Sequence, residues 1–135
     1  MFTTRIAIVV RDDLAVWQKL NVTAFLSSGI AAAVPECIGA PYRDSAGRSY
    51  TAMIGQPILV FAAAQADLQR VHRRACEAGL TVAPYVEAMF ATGHDAANRA
   101  VFAETGIESQ LWAGLALHGE RKAVDRTVKG LKLHP

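Results

Sequence analysis

Hydrophobic positions follow two rhythms along this chain. Short, continuous apolar runs alternate with longer segments in which apolar residues recur every three or four positions. Ile6-Ala-Ile-Val-Val10 is the first run and stops at Arg11-Asp12-Asp13, as a strand covered on both faces stops at a polar edge. Val16–Val34 then reads as a helix, with Val22, Phe25, Leu26, Ile30 and Ala33 on one stripe. Its other side, with Ala24, Ser27, Ser28 and Ala31, is small, which predicts close packing between other elements until Pro35 ends it.

The remaining chain repeats the alternation. Tyr42 and Tyr50 flank Asp44–Gly47, the signature of a β-hairpin. Pro57–Ala62 is a second buried strand. Ala66–Ala78 is an amphipathic helix, with Leu68, Val71, Ala75 and Cys76 inward, Arg70, Arg73 and Arg74 outward, and Gly79 as its cap. Thr81–Val86 is a third strand, and Pro84 predicts an edge position or a bulge. Asp95–Glu104 reads as a short helix with Asp95 as N-cap, Leu111–Leu117 as a fourth strand and Arg121–Lys129 as a last helix. The pattern predicts one α/β domain over residues 1–135: a mostly parallel four-stranded sheet, helices on both faces, and an added β-hairpin.

Composition narrows the function classes. With 52% hydrophobic and 19% charged residues, the chain has the makings of a packed core rather than a disordered tail. No apolar run reaches the ~18–20 residues of a membrane span. The opening Met1–Arg5 lacks the pattern of a signal peptide, so a cytoplasmic protein without membrane partners is expected. Cys37 and Cys76 stand far apart with no ligand spacing around them, which predicts reduced thiols. The net charge of +2 is too small to argue for nucleic acid, although residues 120–135 concentrate Arg121, Lys122, Arg126, Lys129 and Lys132. The ordinary reading of that tail is a solvated helix face. Glycine-rich phosphate loops, serine elbows and metal-ligand clusters are missing from the sequence, so neither cofactor nor metal is expected.

Several strings, in order, carry a family resemblance: Arg11-Asp12-Asp13-Leu14 after the first strand, Lys19 in the following helix, Glu77-Ala-Gly-Leu80, and Val124-Asp125 followed by Leu131-Lys132-Leu133. This series resembles the type 2 peptidyl-tRNA hydrolases over roughly two-thirds of the chain, as a divergent bacterial branch of that fold. The resemblance implies a homodimer and a site built on the lysine and an acid after the third strand. Here that acid is Glu87. Where the family carries Gln and His-Ala, this chain has Thr23 and Leu26-Ser27-Ser28; where it carries Gly-Arg-Thr after the acid, this chain has Met89-Phe90-Ala91.

Two readings follow. The first is a binding or regulatory domain on that scaffold without its activity, since a shared fold does not carry function across such losses. The second is an ester or amide hydrolase, acting even on peptidyl-tRNA, in which Lys19 polarises the carbonyl and Glu87 activates water. Against these roles stand the ordinary ones: a lysine snorkelling at a helix start and an acid capping the next helix. Asn21, Thr23, Asp13 and His94 are the candidate ligand-binding residues, each with a structural alternative as helix-surface, capping or solvated group. Met53, Met89, Phe90 and Trp112 would wall an apolar pocket, or simply fill the core. The expected ligand is a small molecule or tRNA, and Trp17, Phe90 and Phe102 are candidates for apolar surface in a dimer.

Overall fold

A computed structural model describes residues 2–135. Strand β1 (Thr4–Arg11) leads into helix α1 (Val16–Ala33) and a 3-10 turn at Pro35–Cys37. The short strands β2 (Tyr42–Arg43) and β3 (Ser49–Tyr50) pair with each other as a separate two-stranded arm. Strand β4 (Ile58–Ala63), helix α2 (Gln65–Glu77) and strand β5 (Thr81–Val86) follow. A 3-10 turn (Glu87–Ala91), helix α3 (Asp95–Glu104) and another 3-10 turn (Ile107–Ser109) come next. Strand β6 (Trp112–Glu120), helix α4 (Arg121–Thr127) and strand β7 (Lys132–Leu133) complete the chain.

The sheet corrects the expected architecture. It has five strands, ordered β5-β6-β1-β4-β7, and only β1 and β4 pair in parallel. Crossover helices do give β1, β4 and β5 a common direction, as the alternation of elements implied. Strand β6, however, inserts between β1 and β5 from the opposite direction, so both of its ladders are antiparallel. The fifth strand is too short to show any periodicity in sequence and pairs with β4 through Phe61 and Ala62. Pro84 lies on the edge strand beside an irregularity at Tyr85 and Val86, where a residue without an N–H costs no ladder bond.

Alternation along β1 divides the core in two. Ile6, Ile8 and Val10 face α1 through Val22, Leu26 and Ile30. Ala7 and Val9 face α2 and α4 through Leu68, Val71, Ala75 and Val124. Helices therefore cover both faces. The contact under α1 is close: a Cβ on Gly114 would lie 2.7 Å from Val22 Cγ1 and 3.0 Å from the Val9 carbonyl oxygen. Only a bare backbone lets the helix sit there.

Helix α1 is nevertheless one-sided rather than sandwiched. Val22, Leu26 and Ile30 are buried, while Phe25 and Ala33, expected on that stripe, are exposed. Cys76, expected inward, is exposed as well, and neither cysteine is in a disulfide. The N-cap of α3 is His94 rather than Asp95: its Nδ1 accepts a hydrogen bond from the Ala97 N–H at 3.2 Å. No helix among the described residues is long and apolar enough to cross a membrane.

Candidate functional site

The polar edge lies where β1, β4 and β5 end and β6 begins. Arg11, the last residue of β1, is its centre. Its Nε bonds Asp13 Oδ1 at 2.6 Å, and its Nη1 reaches Glu87 Oε2 at 2.7 Å and the Trp112 carbonyl at 3.3 Å. With only 12% of its side chain exposed, Arg11 is a half-sequestered cation that ties three strand ends together. Burial works against its charge, but the bonds to Asp13 and Glu87 outweigh that and raise its pKa. Asp13 is pushed the other way: the Arg11 hydrogen bond holds its carboxyl below the usual range, with the Arg11 and Lys19 charges acting in the same sense.

This arrangement assigns Glu87 a partner other than the one the sequence suggested. Its carboxylate is ion-paired with Arg11, and no ion pair joins Lys19 to Glu87 among the described residues. Lys19 is half-buried near Asp13. Neither Asp12 nor Asp13 caps α1; Gln18 Oε1 accepts from the Ala15 N–H at 2.9 Å instead. Thr23 turns back on its own helix, its hydroxyl donating to the Leu20 carbonyl at 2.8 Å.

Beside this knot, a groove runs between α1 and the segment 87–102, over the edge strand β5. It has two connected parts that share Phe25, Tyr85, Met89, Asp95 and Asn98. One, of about 400 Å³, lies between Trp17 and Asn21 on α1 and Phe90, Thr92 and His94 opposite. The other, of about 490 Å³, is bounded by Ser28 and Gly29, by Ala83 and Pro84, and by Arg99 and Phe102. Neither Lys19 nor Glu87 lines these cavities; Asn21 and His94 do, while Thr23 and Asp13 do not.

The groove wall is a chain of rings. Trp17 meets Phe90 edge-on at 5.8 Å, Phe90 tilts against Tyr85 at 5.2 Å, and Tyr85 against Phe25 at 5.8 Å. Such pairs hold a rigid aromatic surface without a ring having to reorient. Burial pushes the Tyr85 phenol up, so it stays protonated. Polar groups stand opposite. The Thr92 and Asn98 side chains bond each other, and Asp95 pairs with Arg99 along α3. Because His94 Nδ1 is an acceptor, the proton sits on Nε2. Met89 and Phe90 thus line a cavity as one sequence reading held, whereas Met53 is exposed near the arm and Trp112 belongs to the core. No three or more His, Cys, Asp or Glu side chains converge on a metal site among the described residues.

Comparison with known proteins agrees with this fold and names no activity. No curated protein matches the chain. The solved structure of a protein of unknown function, Atu0240, from Agrobacterium tumefaciens strain C58 is 54% identical. It superposes with a TM-score of 0.97, with 100% of each chain covered. Residues 4–135 match the pattern described as "Protein of unknown function (DUF2000)". The chain belongs to the DUF2000 family.

Proposed function

We propose that this chain is a ligand-binding domain rather than a hydrolase, and that the groove between α1 and segment 87–102 takes a flat, largely apolar small molecule bearing oxygen acceptors. The observation that carries this reading is the groove itself. Its two parts fall within the ~300–1,000 Å³ of small-molecule sites, with rings on one side and a few polar groups on the other. The His94 Nε2–H, whose ring is fixed by the α3 cap, and the Asn21 amide supply donors for a carbonyl or carboxylate. A scaffold related to the type 2 peptidyl-tRNA hydrolases is part of the proposal and rests on the strings around Arg11–Leu14, Lys19 and the C-terminus. Hydrolysis is not favoured, because Glu87 is neutralised by Arg11 and neither it nor Lys19 lines the groove.

Calorimetric titration with indole-3-carboxylate and with indole tests the reading. The acid is expected to bind more tightly than the bare ring, and His94→Ala to weaken the acid alone by about tenfold, the equivalent of ~1.4 kcal/mol. Phe25→Ala is expected to weaken both. Equal, unsaturable heats for both probes, unchanged in either variant, would overturn it.

A further inference from the structure

At the end of β1 opposite Arg11, the strand registers gather a second set of polar groups. Strand β6 runs antiparallel to β1, with Glu120 beside Thr4, so the chain enters α4 next to the start of the sheet. The Arg121 N–H donates to the Thr3 carbonyl at 3.0 Å and fastens that corner. Strand β4 runs parallel to β1, with Ile58 beside Ile6, which brings Pro57 and Gln56 alongside Arg5 and Thr4. The Gln56 amide donates to the Thr4 carbonyl and accepts from the Thr4 hydroxyl, both at 3.3 Å. Together these segments form a cavity of about 290 Å³ lined by the Arg5 and Arg121 side chains. The first arginine of the basic C-terminal stretch thus shares a cavity with one from β1, instead of belonging to a wholly solvated face.

We propose that this cavity binds a small phosphate monoester, with Arg5 and Arg121 taking the phosphoryl oxygens and Phe2, Pro57 and Leu59 carrying the carbon skeleton. The lining is one-sided in charge: among the described residues, no carboxylate joins the two arginines there. Other cavities differ. Glu77 accompanies Arg74 and Arg126 between α2 and α4, and Glu36 lines the cavity that shares Phe2 and Gln56 with this one. Arg5 is already positioned, with 28% of its side chain exposed and its Nη1 bonded to Asp125 Oδ1 at 2.6 Å. That bond engages one of the five N–H groups of a guanidinium. Asp125 offsets part of the Arg5 charge but does not line the cavity. Planar guanidinium forks suit phosphoryl oxygens, and a phosphate monoester carries about −1.5 to −2 charges at pH 7. It therefore gains more from two arginines than a carboxylate does. Phe2, Pro57 and Leu59 give the cavity its apolar surface. Its volume stands at the lower limit of the ~300–1,000 Å³ of small-molecule sites, which suits a body of one ring.

Titration with phenyl phosphate, followed by amide chemical shifts and by calorimetry, tests the site. Saturable shifts are expected at Thr4, Arg5, Gln56 and Arg121. None of these residues lines the groove beside α1, so the two sites succeed or fail separately. Inorganic phosphate should shift the same residues but bind at least about tenfold more weakly, for want of the ring, and benzoate likewise, for want of the second charge. Arg121→Gln keeps the main-chain bond to Thr3 and should weaken phenyl phosphate at least about tenfold. Phe2→Ala should weaken phenyl phosphate but not inorganic phosphate. Arg5→Gln should also weaken binding, but it breaks the Asp125 ion pair as well. Asp125→Asn removes that pair with both arginines intact, and should bind at least as tightly as the wild type. Shifts centred elsewhere, an affinity unchanged in Arg121→Gln, or benzoate binding as tightly as phenyl phosphate overturns the proposal. So does loss of binding in Asp125→Asn, or the absence of saturable shifts at millimolar phenyl phosphate.

Discussion

Arg11 joins three parts of the chain that are remote in sequence: its own strand end, the turn that begins at Glu87, and the start of β6 at Trp112. Replacing it with methionine keeps the aliphatic stem but strips the Trp112 carbonyl and two carboxylates of their donor. The expected loss is about 1–3 kcal/mol in urea denaturation. Glu87→Gln should cost less than about 1 kcal/mol, because that carboxylate is 47% exposed and its pairing is screened by water. A larger loss for Glu87→Gln than for Arg11→Met would contradict this ranking. His72 makes a pH-dependent contribution. It stacks on Trp112 at 4.6 Å, and burial lowers its pKa below the ordinary value of 6.5. The unfolded chain therefore binds the proton more readily, so this contribution is complete above the unfolded pKa and fades as pH falls through the folded one. Between pH ~8 and ~6 the wild type should lose more stability than His72→Phe, in which that titration is removed. Parallel stability curves for the two proteins would refute it.

At the scale of elements, the period of the apolar pattern located β1, α1, α2 and β5 because each buries a regular stripe or run. Val22, Leu26 and Ile30 are legible at helical spacing, and the Leu68, Val71 and Ala75 stripe likewise. Pattern alone could not tell which side of α1 is solvated, since its exposed line is as uncharged as its buried one. The cap of α3 was missed because a histidine accepting through Nδ1 looks, in sequence, like a loop residue before a conventional aspartate cap. Segment 105–112 was opaque for a related reason: amides, not apolar periodicity, anchor it. Gln65 donates to the Gln110 carbonyl and Gln69 to the Ile107 carbonyl, while Gln110 bonds back to Phe102 and Thr105. The tight seat of α1 on β6 is the element-level prediction. Gly114→Ala should destabilise by about 1–3 kcal/mol, by forcing Val22 and the β6 backbone apart. An unchanged melting temperature would show that the helix yields without strain.

For the whole molecule, strand order was the part that sequence could not decide. Helices between strands fix direction but not adjacency, and β6 enters the sheet between strands that precede it in the chain. That insertion is also what makes β5 an edge, and an edge strand next to α1 leaves room for the segment 87–102 to fold over it. Asn21 was accessible from sequence by its place about a turn from Lys19, and His94 as a histidine after Gly93 in a loop-like stretch. Trp17, Phe25 and Tyr85 were not, because an aromatic lining a groove and an aromatic filling a core have the same spacing. The molecule is thus divided by its sheet, with α1, whose one charged residue is Lys19, and its groove on one side and the cationic α2 and α4 on the other. The groove is where the account is most exposed to refutation. Amide chemical shifts of the labelled protein, followed as indole-3-carboxylate is added, test it residue by residue. The account predicts saturable shifts confined to Trp17–Gly29, Ala83–Tyr85 and Met89–Phe102. Shifts centred instead on the cavity at Thr4, Gln56 and Arg121, or none at saturating probe, would contradict it.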